Sequence, residues 1–478
     1  MKRRKFFQLA SAGAAGLTLA ASCTSRKKSA DAGMDAPDQA MEVPAYRKEQ
    51  ASAGPPAKQK SANDRVVVAI IGCGGHGTTV ITDAAGLGEN IHVKYFCDVD
   101  DTRGGYGITE LEKIQGSKPL RVRDMRRVYD DKEVDAVFIA TPEHWHGLAT
   151  MWACQAGKDV YVEKCISHTL EEGQQMIEVA RKYNRIVQCG TQNRSSDYAY
   201  KAREYIKNGG LGEIISVHVK ELLDGPIPWV QKDEASPPDT IDWDMWLGPA
   251  PKAPYSVSRN KSWGYYWDYA GGNVMAGGVI HQLDMARLVL DDPGFPKSVY
   301  CSGGRYFFDD DRDVPDYQMA TFDYGNYTLT VETGECTPYM QKSGPDVRFS
   351  DKFPAWMQNA TRIEILGTKR MMYVGRMGGG WQAFEKDGQI VAQEPGYYPL
   401  GAHIKNFIDC VRSRKEPNGN LVQGHHSSVL IHLANLSYRM GNKQLLFSPE
   451  YEVITNDSKA RELSRQHYRQ GFEVGEVV

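Results

Sequence analysis

Six apolar residues, Val66 to Ile71, run without a polar interruption into a glycine-rich turn. Similar short apolar runs recur at Val93–Cys97, Ala136–Ala140, Val160–Val162 and Ile186–Cys189, with a further strand counted near Arg121. The segments between them have helical spacing: Met176, Ile177, Ala180 and Tyr183 fall on one face of the helix after Leu170. Near-continuous apolar strands joined by helices predict a parallel sheet covered on both faces, with ligands at the carboxyl ends of its strands. After Thr191 the texture changes. A helix over Tyr198–Ile206 ends at Gly209-Gly210, and then Ile215, Val217 and Val219 alternate with Ser216, His218 and Lys220, the pattern of a half-exposed strand. Strands follow at Val299–Phe308, Tyr317–Tyr324, Tyr327–Glu332 and Ile363–Leu366, two of them joined by a tight Gly325-Asn326 hairpin. Two helices, His403–Arg412 and His426–Met440, close this half, and the charged segment after Pro449 wraps the surface. The fold class expected is α/β: an N-terminal doubly wound parallel sheet over 64–190, then an α+β unit over 191–450 with an open, largely antiparallel sheet, and a tail over 451–478.

The N-terminal stretch does not share this patterning. Lys2-Arg3-Arg4-Lys5-Phe6-Phe7 is a basic twin-arginine start, followed by a small-residue apolar segment from Leu9 to Ala21 that is too short for a membrane span. Ala20-Ala21-Ser22-Cys23 resembles a bacterial lipoprotein cleavage box with Cys23 as the lipidated residue. Residues 23–63 are rich in Ala, Lys, Ser, Pro and Gln and read as a flexible tether, spanning on the order of 35 Å as a coil. The expectation is therefore an exported protein of a bacterium, periplasmic or anchored to the membrane by lipid. Nine scattered cysteines without a C-x-x-C spacing argue against a disulfide framework or a zinc ribbon. A formal net charge of −3 over 478 residues gives no reason to expect a nucleic-acid partner.

The candidate chemistry gathers at the strand ends. Gly72-Cys73-Gly74-Gly75-His76-Gly77 is a G-x-G-x-x-G directly after a strand, and Asp98 follows 21 residues beyond its third glycine. Gly72 allows the tight turn, Gly74 a close approach of a pyrophosphate, and Gly77 close packing of the next helix, whose N-terminal N–H groups face the phosphates. Asp98 would accept hydrogen bonds from the adenosine ribose, favouring NAD over NADP. This is the signature of a Rossmann dinucleotide site, to which Gly75 and His76 also belong. Ala140-Thr141-Pro142-Glu143-His144-Trp145-His146 ends a strand beside the cofactor, so Thr141, Pro142, His144 and His146 are expected to pack against its nicotinamide half. Two histidines at i, i+2 without an acid cluster do not make a metal site, and no metal is expected. Glu163-Lys164 ends the next strand at the same crevice. Alcohol oxidation requires a proton acceptor within hydrogen-bond reach of the hydroxyl, and a lysine beside a cationic nicotinamide is a candidate to orient that hydroxyl or relay its proton. Farther on, a glycine-rich run, Gly271-Gly272 and Gly277-Gly278, implies tight turns before a helix with His281 near its start, a group that takes a proton near neutral pH. Five aromatics within Trp263–Tyr269 (Trp263, Tyr265, Tyr266, Trp267, Tyr269) form either a saccharide wall or a core cluster.

The Gly72 loop with Asp98, the A-T-P-x-H-x-H at Ala140, the Glu163-Lys164 pair and the run ending in His281-Gln282-Leu283-Asp284 together resemble the Gfo/Idh/MocA oxidoreductase family, which contains glucose–fructose oxidoreductase and inositol dehydrogenase. The similarity covers about residues 65 to 450. It implies that Lys164 and His281 flank the substrate hydroxyl with His281 as acid/base, and that Gly190-Thr191-Gln192-Asn193-Arg194 leads into the substrate domain, making Gln192 and Arg194 polyol ligands; Trp267 of the aromatic run, and Asp268 or Tyr269 as a stand-in for an aspartate that the family often has before the histidine, are further substrate candidates. Two positions depart from the family pattern: Cys165 stands where proline is usual, and Gly277 where an aspartate is common. The resemblance implies an NAD(P)-dependent oxidoreductase moving a hydride between a secondary hydroxyl of a sugar, glycoside or polyol and a tightly held NAD, and a homo-oligomer paired through open sheets. Two alternatives stand beside it: an NAD-dependent glycosidase or lyase working by transient sugar oxidation, and a catalytically silent sugar-binding lipoprotein.

Overall fold

The computed structural model describes residues 60–61, 64–88, 90–223 and 228–475; the twin-arginine start, Cys23 and nearly all of the tether lie outside them. In chain order the first part contains β1 (Val66–Ile71), α1 (Gly75–Gly86), β2 (Ile91–Cys97), α2 (Gly105–Gln115), β3 (Leu120–Val122), α3 (Arg126–Asp130), β4 (Ala136–Ile139), α4 (His146–Gln155), β5 (Asp159–Val162), α5 (Leu170–Lys182) and β6 (Val187–Cys189). The six strands pair in parallel in the order β3-β2-β1-β4-β5-β6. The order reverses between β1 and β4, which opens a crevice at the carboxyl ends of these two strands.

The second part contains α6 (Asp197–Lys207), β7 (Ile214–Leu222), α7 (Trp243–Leu247), α8 (Val257–Lys261), α9 (Val279–Val289), β8 (Ser298–Gly304), β9 (Tyr317–Asp323), β10 (Thr328–Gly334), α10 (Pro345–Arg348), β11 (Arg362–Gly367), β12 (Met371–Gly375), β13 (Trp381–Phe384), β14 (Ile390–Glu394), α11 (Leu400–Ser413), α12 (Leu421–Arg439), β15 (Leu445–Ser448), β16 (Val453–Ile454) and α13 (Ser458–Leu463). Its ten strands form one sheet in the order β14-β13-β12-β11-β7-β10-β9-β8-β15-β16. The sheet is mixed rather than wholly antiparallel, because β7 and β10 pair in parallel. Gly325, at φ +88°, turns the expected hairpin between β9 and β10.

One face of the larger sheet is buried. Val217, Val219, Leu329, Val331, Ile363 and Ile365 pack with residues of α6, α9 and α12 in a single core. The smaller sheet is covered on both faces, and α11 crosses over from the second part to do it: Ile404, Phe407 and Ile408 pack on Val68, Ile70 and Phe138. The two sheets are therefore fixed together by buried apolar surface, and α12 lies at the seam, against β6 of the smaller sheet and β8 of the larger. The glycine-rich approach to α9 is a π-helical turn over Asn273–Gly278, not the sequence of tight turns expected. Among the described residues no helix is long and apolar enough to cross a membrane.

Candidate active site

Local backbone geometry explains the glycine loop. Gly72 sits at φ +89°, and a Cβ there would lie 2.6 Å from the Ala140 backbone. A Cβ on Gly77 would lie 2.1 Å from the Gly72 carbonyl oxygen. Gly74 and Gly75 have nothing within 4 Å of such a position, leaving open space over the first turn of α1. The unpaired N–H groups of that turn are suited to a pyrophosphate. A cleft crosses these turns, lined by Gly72, Gly74, Asp98, Thr141 and Pro142 and closed by Trp246.

Asp98 accepts from the Cys73 N–H at 2.7 Å and from the Asp100 N–H at 2.9 Å. Each carboxylate oxygen keeps a second lone pair for a ribose hydroxyl. Arg103 and Arg123 line the same cleft, but Arg103 is turned to Asp100 at 3.3 Å and Arg123 forks onto Asp101. Asp98 thus offers acceptors to a dinucleotide bound in the cleft, and both arginines are paired with aspartates.

At the other end of the crevice the strand ends of β4 and β5 meet. His146 is buried between the carbonyls of Cys165 at 2.5 Å and Thr141 at 2.9 Å, joining the two loops. His144 is buried with Nε2 on the Trp246 carbonyl at 3.1 Å and Nδ1 without a partner; burial lowers its pKa to about 3. Neither ring is among the residues that line the cleft, where the motif contributes Thr141, Pro142 and Trp145 instead of the two histidines expected there. Glu163 pairs with His76 at 3.0 Å across the mouth of α1. Burial pushes the Glu163 carboxyl up, but His76, Lys164 and His146 together hold it below its ordinary value, and Glu163 in turn raises His76. Gln192 Nε2 lies 3.4 Å from Glu163 Oε1 and supports that carboxylate.

The decisive arrangement is between Lys164 and His281. The ammonium of Lys164 donates to the Gly277 carbonyl, and to that of Ala276 at 3.3 Å. His281 follows one turn later, as the third residue of α9. The peptide bond after Lys164 is cis. Burial pushes His281 well below the usual histidine range, and the charges of Arg376, Lys164, His76 and Lys342 push the same way. His281 is therefore a neutral imidazole at ordinary pH, in the state that accepts a proton.

Three groups at this site were not singled out from the sequence. Glu143, inside the A-T-P-x-H-x-H motif, is buried and accepts from the Gly271 N–H at 2.8 Å; burial pushes its carboxyl up to about 7, against the pull of Lys164. Glu221 is 2 % exposed and continues the inward alternation of Val217 and Val219 on β7. Its Oε2 accepts from Gln282 at 3.2 Å, its Oε1 has no hydrogen bond, and a Cβ on Gly278 would lie 1.8 Å from that Oε1. A carboxylate thus reaches the π-turn from the sheet below, beside the place where Gly277 lacks one. Arg376 is the third, and only its position just after β12 and before three glycines marks it. A charged residue at an inward strand position was the readable signal for Glu221; Arg376 offered none.

Several expectations need correction. Arg194 is 2 % exposed, with its guanidinium on Asp284 at 2.9 and 3.0 Å and on Asp292 at 2.8 Å. It ties β6 to α9 and is spent as an ion-pair centre, not offered to a polyol. Trp267 and Asp268 line a separate cleft with His168, His432 and Arg439, away from the cofactor cleft. Of the aromatic run, Tyr265, Tyr266 and Tyr269 are core residues, and only Trp263 lines the cofactor cleft.

Comparison with known proteins gives the same picture. Residues 66–191 match the Gfo/Idh/MocA oxidoreductase family, NAD-binding Rossmann fold, and residues 199–339 and 373–474 match the C-terminal alpha/beta domain of that family. A levoglucosan dehydrogenase of Pseudarthrobacter phenanthrenivorans is 26% identical over 169 residues, 35% of this chain and 36% of that protein. A 2,7-anhydro-N-acetylneuraminate hydratase of Escherichia coli is 23% identical over 329 residues, 64% of this chain and 75% of that protein. The chain thus spans about a third of the first relative's length and three quarters of the second's. The crystal structure of an aldose-aldose oxidoreductase from Caulobacter crescentus superposes with TM-score 0.59 at 17% identity, covering 80% of this chain and all of that one.

Proposed function

Since the chain belongs to the Gfo/Idh/MocA oxidoreductase family, we propose that it oxidises a secondary hydroxyl of a sugar, glycoside or polyol against a tightly held NAD. Bound in the cleft, the nicotinamide supplies the hydride acceptor. His281, held neutral, takes the hydroxyl proton on a ring nitrogen. The Lys164 ammonium, fixed on the carbonyls of the π-turn, orients the hydroxyl oxygen toward it. Glu163 and Gln192 set the position of Lys164 at the strand end, and Asp98 holds the ribose. The observation that carries this reading is the contact of Lys164 with the Gly277 carbonyl, which brings the lysine of one sheet to the helix bearing the histidine of the other.

Export by the twin-arginine route, with lipidation at Cys23, belongs to the same proposal, as does pairing of chains through the open face of the larger sheet. A protein outside the cytoplasm has little free NAD to exchange, so retention of the cofactor through a closed redox cycle follows. Kinship with a hydratase supports a second reading, in which oxidation is transient and the net reaction is addition or elimination of water.

The test is direct. Mass spectrometry of the desalted protein should find NAD, and a panel of glycosides and polyols should change the absorbance of that NAD at 340 nm. Lys164→Ala and His281→Ala should each lower turnover by roughly 10²–10⁴-fold while the protein stays folded. A protein that binds no nucleotide, or variants that turn over at the wild-type rate, would end the proposal.

A further inference from the structure

A second cleft shares no lining residue with the cofactor cleft, and neither Lys164 nor His281 lines it. Segments distant in sequence meet around it: His144 from the loop after β4, His168 from the loop after β5, Trp267 and Asp268 ahead of the π-turn, and Arg439 at the end of α12. Its volume is about 260 Å³, at the small end of the range for ligand sites.

Several polar groups around this cleft are already spent. His168 Nε2 donates to the Trp267 carbonyl at 2.8 Å, and His432 Nε2 lies 3.2 Å from the Ser167 hydroxyl. Asn435 donates to the Gly271 carbonyl and accepts from Gln318 at 3.2 Å. Arg465 and His467 both turn to Glu462, at 3.5 and 3.1 Å.

Three groups are not spent. His144 is only 2 % exposed. Its Nε2 carries the proton, because the Trp246 carbonyl 3.1 Å away can only accept. Nδ1 is then a lone-pair acceptor, and it is buried without a partner, an unfavourable state for a polar atom. Asp268 and Arg439 line the same cleft, yet among the described residues neither makes a hydrogen bond or an ion pair. The Arg439 guanidinium is instead laid over the Trp267 ring, 5.2 Å from its centroid. That indole is pinned in turn by its own N–H on the Asp313 carbonyl at 3.0 Å. Stacking of this kind fixes the plane of a guanidinium and leaves its N–H edge open to a ligand.

These groups together select one kind of ligand. His144 and Asp268 need donors, and Arg439 needs an acceptor. The formal charges of Asp268 and Arg439 cancel, so a charged ligand would leave one of them uncompensated. A neutral polyhydroxylated ring carries donors and acceptors on the same atoms. Resting on the sugar-oxidoreductase reading for the choice of ligand, we propose that this cleft is a second saccharide site, which takes one neutral sugar unit apart from the catalytic crevice. One sugar hydroxyl donates to His144 Nδ1, while others accept from Arg439 and donate to Asp268. The bound sugar then touches the loop that supplies Thr141 and Pro142 to the cofactor cleft.

The test counts sugars bound per chain, by equilibrium dialysis of the NAD-loaded full chain against labelled methyl glucoside, methyl galactoside and methyl mannoside. Reduction of the bound NAD is followed in parallel at 340 nm. At least one sugar should occupy two sites per chain. Arg439→Ala and Asp268→Ala, both at exposed positions, should each weaken one site by about tenfold or more and leave NAD reduction at the wild-type rate. His281→Ala should abolish NAD reduction and keep that site. A single site that neither rim substitution changes, with NAD still reduced, overturns this inference alone. Rim substitutions that abolish NAD reduction together with all binding would make the cleft part of the catalytic crevice and overturn it too. Binding of methyl glucuronide or inorganic phosphate in place of the neutral sugars, lost in Arg439→Ala, overturns the neutral sugar as ligand. A protein that binds none of these sugars and leaves its NAD oxidised overturns the sugar reading and this inference with it.

Discussion

At the residue scale the site is governed by which groups are charged when substrate arrives. His281 is pushed well below the ordinary histidine range by burial and by its cationic neighbours, which favours the neutral imidazole. Glu143 is different: burial lifts it to about 7, against the pull of Lys164. Above that pH its carboxylate supports the Lys164 ammonium, and below it the support is lost. Initial rates of glycoside oxidation should therefore fall as pH drops through about 7, and Glu143→Gln, which keeps an acceptor for the Gly271 N–H, should flatten the profile between pH 6 and 8. A wild-type and variant profile of identical shape would assign the inflection elsewhere. The placements readable from sequence were those set by local spacing: Gly72, Gly77 and Asp98 around one turn, and Lys164 at a strand end. Glu143 and Arg376 became visible only when chain segments far apart met, because nothing in their own neighbourhoods marks burial of a charge, whereas the inward alternation of β7 could have marked Glu221. Arg194 failed for the same reason in reverse, since its partners Asp284 and Asp292 lie about ninety residues away in sequence.

At the scale of elements, α5 shows how one buried carboxyl couples a helix start to pH. Thr169 caps the helix by accepting from the Glu172 N–H at 3.3 Å. Glu172 accepts in turn from the His168 N–H at 2.7 Å and from the Tyr468 hydroxyl at 3.0 Å, and burial pushes it up to about 7. An unfolded chain ionises this group near its ordinary value of 4.5. Between these two values the folded state holds the proton that the unfolded state has lost, so stability falls as pH rises through the window and levels off above it. Glu172→Gln mimics the protonated form and removes that slope, by up to about 1.4 kcal/mol per pH unit. Urea unfolding at pH 5, 6, 7 and 8 reads it, and equal slopes in both proteins between pH 5 and 7 would count against a raised Glu172. The elements themselves were legible where periodicity was long, as in β1, α5 and α12. The short strands β12 to β16 escaped because runs of two to five residues carry too little alternation. The parallel pairing of β7 with β10 escaped because more than a hundred residues separate the strands, and alternation says which face is buried but not which neighbour a strand takes.

At the scale of the whole molecule, the C-terminal segment behaves as a clamp rather than a loose surface wrapping. After α13 the chain returns to the smaller sheet. The Gln466 N–H donates to Glu171 at 2.9 Å, Arg469 donates to the Gly248 carbonyl at 2.8 Å, and the Glu473 carbonyl accepts from the Trp152 indole at 3.1 Å. Phe472 anchors it, 7 % exposed and edge-on to Trp145 with ring centroids 5.7 Å apart. Trp145 is itself a wall of the cofactor cleft, and Gly248 must be glycine because a Cβ there would lie 2.1 Å from the Trp145 ring. Residues 466–473 therefore brace the loop whose Trp145 walls the cleft. Phe472→Ala should cost roughly 3 kcal/mol of stability, as expected for an emptied aromatic site, and should also weaken NAD, because Trp145 is freed to move. Leu329→Ala, on β10 in the core of the larger sheet, serves as a control that lowers stability without touching a residue that lines the cleft. Titration of NAD against intrinsic tryptophan fluorescence separates the two effects: affinity should drop in Phe472→Ala and hold in the control. A Phe472→Ala protein that melts earlier yet binds NAD as tightly as wild type would reduce the clamp to a purely structural strap.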